Sequence, residues 1–391
     1  MQRINVEMFN RRAFSSIWWF WQSHALLLGV GILAIYFAGI ALVSWLVPGV
    51  NWDMVAYVAA SIDRPQMNDV ELHHQAWAAV RDRVSQGEFL VLTSDRPYRI
   101  AQFENPSAFA SMLGFYKVKV LYVAVASWLS QFFQPVDALR LVTAASVVLT
   151  GVTVLVWSIE RRTAVWAPVI VALFILSGFG TVARQVVPDI MAAMFLVAAA
   201  YAFLARRDLV AALALVLAFL TRPDHLVFVS VLAITALLYG ESARRLLFAM
   251  LICLVSYFAV TASTGHPGWW IQLWLTQVEY VPTLDGFNPD FSLLIYGRIL
   301  VQALARSLVD ENWLAMILLQ CIAWGWLVHR ALPLDSRQSI LVTSIIASTA
   351  LKFPIAPMHE TRFYLAYLLI FGLVLIEVAA QGWRVRRAVS D

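Results

Sequence analysis

Apolar stretches of roughly 20 residues recur along this chain, each long enough as a helix to cross the ~30 Å hydrocarbon core of a bilayer. They are joined by short connections that carry arginine. Of 391 residues, 61% are hydrophobic and 13% are charged. The charged share is about half that of an ordinary soluble domain, and mean hydropathy is +0.74. The length alone would suit two or three soluble domains. The recurring runs and brief connections instead imply an all-α, polytopic transmembrane helical bundle, a single integral membrane domain over residues 1–391. Sixteen Trp suit the aromatic belts of the two membrane interfaces. Cys253 and Cys321 both lie in apolar runs and read as small buried hydrophobes.

The candidate spans are 25–47, 141–159, 164–182, 190–205, 209–221, 226–240, 246–263, 313–328, 339–356 and 363–380. The first is too long for the apolar region of a signal peptide and lacks an A-x-A exit, so it is expected to stay as a helix. Arg3, Arg11 and Arg12 precede it. With that end cytoplasmic, ten crossings bring Arg161/Arg162, Arg206/Arg207, Arg244/Arg245, Arg330/Arg337 and Arg384/Arg386/Arg387 to the same side. That agreement follows the positive-inside rule. It accounts for the net charge of +4 and the pI near 9.1 without nucleic acid. Both termini are then cytoplasmic in a plasma (inner) membrane, and 48–140 and 264–312 are external, on the periplasmic or extracellular face.

Two apolar stretches, 116–133 and 293–309, do not fit as crossings. Counting the first would send every later basic cluster outward, and Arg298 and Arg306 interrupt the second. Both are expected as helices lying along, or dipping into, the outer interface. Residues 14–21 are expected as an interfacial helix on the inner side. Within the long external loop, 54–63 and 69–86 read as helices, followed by a loop marked by TSDRP and FENPS.

Ionisable residues at helix mouths are costly unless solvated or paired, which makes them functional candidates. Asp53, in NWDMVAYVAAS, opens a helix-like stretch, where it serves either as an N-cap or as a reacting carboxylate. Asp189, after Pro188, has the same two readings, and Arg184 and Gln185 share its loop. Lys117 and Lys119, two apart in YKVKV, point differently on a helix, so one is expected to face a site. They fit either headgroup anchoring or phosphate binding. Arg222 and Asp224, in TRPDHLV with His225, form either a local pair or a phosphate contact. Lys352, His359, Glu360 and Arg362 gather in KFPIAPMHETRFY. His73 and His74, adjacent and so divergent on a helix, suit a solvated face better than a metal. His266 reads as structural.

NWDMVAYVAAS after the first span, FYKVKVLYVAVASWLSQFF, ARQVVPDIMAAMFLVAAAYAF, TRPDHLV and HETRFYLAYLLIFG occur in an order that resembles the GT-C superfamily of integral membrane glycosyltransferases. The resemblance covers most of the chain. It implies transfer of a sugar, with inversion, from a polyprenyl-phosphate-linked donor to a lipid, glycan or protein acceptor on the outer face. In that scheme Asp53 is the general base and Asp189 supports the site or the acceptor. Lys117 is expected near the donor phosphate, and Arg222 and Arg362 match more loosely; Lys119 and Arg184 are further expected donor-phosphate ligands, and His359 and Asp224 are other candidates. YKVKVLY departs from the family's usual Pro-Leu-Tyr-like run, and no large C-terminal soluble domain is present, so members that use one are poor guides. No D-x-D pattern occurs, so no cofactor or divalent metal is indicated. Rival readings are a transporter or flippase for a lipid-linked glycan, a membrane glycan polymerase or ligase, and a non-catalytic subunit of envelope assembly. Transport fits less well, because the charges gather at outer helix ends rather than at the midplane.

Overall fold

The computed structural model describes residues 21–390 apart from Gln22, Ser242, Ala331 and Pro333, with the backbone alone for 385–390. Most of the segment 14–21 therefore lies outside the described residues; Trp21 donates its indole N–H to the Val165 carbonyl at 3.2 Å. Among the described residues there are α-helices and short 3-10 turns and no strand. In chain order the helices are α1 (Ala25–Leu46), α2 (Trp52–Ile62), α3 (Asp69–Arg81), α4 (Gln86–Ser94), α5 (Pro97–Glu104), α6 (Pro106–Ser111), α7 (Gly114–Lys117), α8 (Val120–Leu129), α9 (Pro135–Glu160) and α10 (Ala167–Leu176). They continue with α11 (Phe179–Arg184), α12 (Asp189–Leu204), α13 (Asp208–Thr221), α14 (Leu226–Leu238), α15 (Arg244–Ser263), α16 (Trp269–Gln277), α17 (Leu293–Val309), α18 (Trp313–His329), α19 (Ser336–Ile355) and α20 (Leu365–Ser390).

The chain is an all-helical membrane protein. Five helices, α1, α9, α15, α19 and α20, are long and apolar enough to cross a bilayer, or up to seven if each bent helix pair is one span. All ten apolar runs read from the sequence contain helix. Several are short: α13, at 14 residues, is only about 21 Å long at 1.5 Å per residue. The centre of the bundle is α12, whose alanines at 192, 193, 199, 200 and 202 are buried and let α13, α9 and α20 approach closely. Gly29 serves the same purpose on α1: a Cβ there would overlap the Ala164 carbonyl.

A second core lies at one end of the bundle. Tyr57 of α2, Trp77 of α3, Phe109 of α6 and Tyr122 of α8 are buried together with Val136 of α9 and Met191 of α12. This cluster seats α2, α3, α6 and α8 on the bundle and so fixes the start of α2. The opposite end is laced by charge. Arg337 is bonded to Asp208 at 2.5 Å and Glu241 at 3.3 Å, and Arg207 to Glu160 at 3.2 Å. Buried Glu377 accepts from Trp157 Nε1 at 2.7 Å and Gln338 Nε2 at 3.0 Å.

Two local expectations are corrected, and the helices of the two stretches not expected to cross are seen in detail. Residues 164–182 do not form one helix: Gly178, with φ of 72°, breaks the run between α10 and α11. The stretch around TSDRP and FENPS is helical rather than loop, because Pro97 and Pro106 occupy first-turn positions of α5 and α6, where a missing N–H costs nothing. Residues 116–133 divide at Lys119, with α8 bent by 111° from the helical segment before it, and 293–309 is helical with a 74° bend into α18.

Candidate functional site

Asp53 lies in the first turn of α2. The cap of that helix is Asn51, whose side chain accepts from the Met54 amide at 2.9 Å. The Asp53 carboxylate is therefore free of capping. Its Oδ1 accepts from the Tyr116 hydroxyl at 3.1 Å, and its Oδ2 from Arg362 Nη1 at 3.0 Å. Burial pushes this carboxyl up, but the Arg362 guanidinium, the nearby Lys119 ammonium and the Tyr116 hydroxyl outweigh it and hold it below the ordinary carboxylate range. Asp53 is ionised at neutral pH.

Asp189, the first residue of α12, makes no capping bond. Its carboxylate, nearly buried, is bound by Arg222 Nη1. The same guanidinium grips Asp224 with Nε at 3.0 Å and Nη2 at 3.3 Å. Arg222 thus has both the local pair and a partner 33 residues away. Asp224 in turn holds Lys352 Nζ at 2.6 Å, and Lys352, fully buried, also donates to the Phe363 carbonyl at 2.8 Å. Phe363 belongs to the 3-10 turn Thr361–Phe363 that carries Arg362. Its ring lies 4.7 Å from the Arg222 guanidinium and 5.1 Å from that of Arg362. The two acid-base groups, Asp53 with Arg362 and Asp189 with Arg222, therefore meet at one end of the bundle.

The lysine that joins this cluster is Lys119. It occupies the break between α7 and α8, donates to the Phe115 carbonyl and lies 5.6 Å from the Tyr116 ring centre. Burial, helped by Arg222, lowers its pKa to about 8 against the opposing pull of Asp53, Asp224 and Asp189. Lys117, to which the family resemblance gives the phosphate role, points elsewhere and pairs with Asp63 at 2.6 Å. The pair faces two ways because residues two apart on a helical turn diverge. Arg184 is also spent outside the cluster, donating from Nε to the Val47 carbonyl at 2.9 Å and tying α11 to the end of α1. His359 turns its carbonyl to Trp313 Nε1 at 2.8 Å, and its buried Nδ1 has no bond among the described residues.

Tyr116 is the residue of this cluster that the sequence reading does not single out; its place beside the lysine motif is the signal that could have found it. Lys352 and Glu360, expected with Arg362 at one helix mouth, both join the cluster, Glu360 binding Arg362 Nε at 2.5 Å. With them the cluster holds four carboxylates (Asp53, Asp189, Asp224, Glu360) and four cations (Lys119, Arg222, Lys352, Arg362). An anionic group can enter such a balanced set by taking over a guanidinium from its carboxylate. Asp53, Asp224 and Glu360 keep 29%, 25% and 40% of their side-chain surface exposed, so the cluster is reached from outside the bundle. Among the described residues no three His, Cys, Asp or Glu side chains are grouped to hold a metal ion.

The pairing makes Asp224 the structural keystone of the cluster. Asp224→Asn leaves the buried Lys352 charge uncompensated, which is expected to cost about 3 kcal/mol. Unfolding of the detergent-purified protein measures this, and Lys352→Met on the same background is expected to recover part of the loss. Equal stability of Asp224→Asn and the parent would show that the pair carries nothing. Comparison of the chain with family models, with curated proteins and with solved structures found no match.

Proposed function

We propose that the protein is an inverting membrane glycosyltransferase of GT-C type, moving a sugar from a polyprenyl-phosphate-linked donor to a lipid, glycan or protein acceptor. The observation that carries this reading is the meeting of Asp53, Asp189, Lys119, Arg222 and Arg362 at one end of an apolar bundle, although they are spread over 309 residues of chain. Cations at a membrane rim suit a lipid phosphate, and an ionised carboxylate beside them suits a hydroxyl nucleophile. In the proposed step the acceptor oxygen bonds to the anomeric carbon as the bond from that carbon to the phosphate oxygen breaks. The electron pair leaves with the phosphate, and the acceptor proton passes to Asp53. Arg362, released from Asp53 to the donor phosphate, frees the carboxylate oxygen that takes the proton. Arg222 and Lys119 share the charge of the departing phosphate.

The proposed topology has about ten crossings in the plasma (inner) membrane, both termini cytoplasmic and the Asp53 end outside. It is supported by the common position of Glu160, Arg161, Arg206, Arg207, Asp335, Arg337 and Arg384, which interact at the other end of the bundle. A cytoplasmic reporter fused after Arg162 is expected to be active; an external signal there would reverse the assignment.

Labelled polyprenyl-phosphate sugars, offered to membranes containing the protein, test the chemistry. Asp53→Asn is expected to lower transfer by about 10² to 10⁴-fold, the usual contribution of a general base. Transfer at the parental rate would remove Asp53 from that role, and binding without transfer by the parent would favour a transporter. The Lys119 pKa gives a pH signature. Its cation is present below about 8 and lost above, so kcat/KM is expected to fall as pH rises through about 8. Lys119→Arg keeps the charge and should carry that decline upward by a unit or more; an unmoved limb would assign it to another group.

A further inference from the structure

Residues 278–292, between α16 and α17, are held across α5 and α6 by hydrogen bonds. Gln102 Nε2 donates to the Pro282 carbonyl at 3.3 Å, the Leu284 amide to Ser111 Oγ at 3.0 Å, and Ser107 Oγ to Asp285 at 3.2 Å. This course lays Tyr280 flat on Tyr98, with ring centres 4.7 Å apart and planes within 16°. Tyr98 meets Trp52 edge-on at 5.6 Å, and Trp52 immediately precedes Asp53. Arg99, bonded to Asp95 at 3.1 Å, lies over both Trp52 and Tyr98 and steadies the lower rings. Three aromatic rings therefore step from Trp52, the residue before the candidate base, to the surface, where Tyr280 is 51% exposed.

A ring stacked on one side and open on the other is an ordered surface whose cost of immobilisation is already met. Its face is electron-rich, which suits the weakly positive C–H groups on one side of a pyranose, while the sugar hydroxyls need acceptors at the rim. After burial and Tyr98, the charges of Asp53 and Glu360 also push the Tyr280 phenol up, in keeping with a polar surrounding for those hydroxyls.

We propose that Tyr280, backed by Tyr98 and Trp52, is a stacking platform for a pyranose ring of the substrate. The inference rests on the glycosyltransferase reading and deepens it by naming a sugar subsite beside Asp53. The ring could belong to the donor or to the acceptor, and two binding series on the purified full chain tell them apart. One compares farnesyl phosphate with farnesyl phosphate hexoses (glucose, galactose, mannose); the other measures octyl hexosides in the presence of farnesyl phosphate. The platform predicts that the sugar improves affinity in one series, that Tyr280→Ala erases about tenfold of that gain, and that Tyr280→Phe keeps it. Asp53→Asn lowers transfer, and the loss of sugar affinity on Tyr280→Ala should persist in that background. A gain that survives Tyr280→Ala, or no gain in either series for the parent, overturns the platform. Failure of farnesyl phosphate itself to bind counts against the glycosyltransferase reading, and the octyl hexoside series still decides the role of Tyr280.

Discussion

The guanidinium of Arg222, clasped by Asp189 and Asp224, sets the terms for one rim of the helix bundle. Burying a charge costs several kcal/mol unless partners and hydrogen bonds offset it. Arg222 is nearly buried, so the fold has to bring it carboxylates, and it draws them from the start of α12 and from its own turn. Asp224 carries the constraint onward to Lys352, and Lys352 to the Phe363 carbonyl. One chain of charged contacts thereby fixes the ends of α12, α13, α14, α19 and α20 relative to each other.

Asp53 comes to that rim by a different route. Its helix is held by apolar packing of α2, α3, α6 and α8 against α9 and α12, in a core separate from that of the bundle. The Asp53–Arg362 bond spans the two cores. Polar geometry at the rim thus depends on two hydrophobic assemblies being seated together, with Val186 and Val187, just before Asp189, buried in the outer one.

The balance of charge gives the cluster its chemical character. Each guanidinium already has a carboxylate, so these charges are balanced within the fold. Under the proposed function a phosphate competes for these cations, and Arg362 is the one that pairs with Asp53. Lys119 differs from the others: buried at a helix break and opposed by Arg222, it holds its proton less firmly than a solvated lysine.

The helices themselves were legible, because bilayer-length apolar runs and arginine placement are local properties of a sequence. So was the shortlist of rim residues, since a charge beside an apolar run needs an explanation wherever it occurs. The choice within the shortlist was not. Lys117 and Lys119 have nearly the same local sequence, and only the turn at the α7–α8 break sends one to Asp63 and the other to the cluster. Asn51 rather than Asp53 caps α2, which depends on where the helix starts, and Arg184 reaches a carbonyl of α1 that no spacing rule could foresee. Sequence alone determined that this chain is a helical membrane protein with its ionisable groups at helix mouths, because hydrophobic burial is read residue by residue. Which of those groups share one site was decided only by tertiary structure, because pairing charges requires distances between segments that packing alone sets.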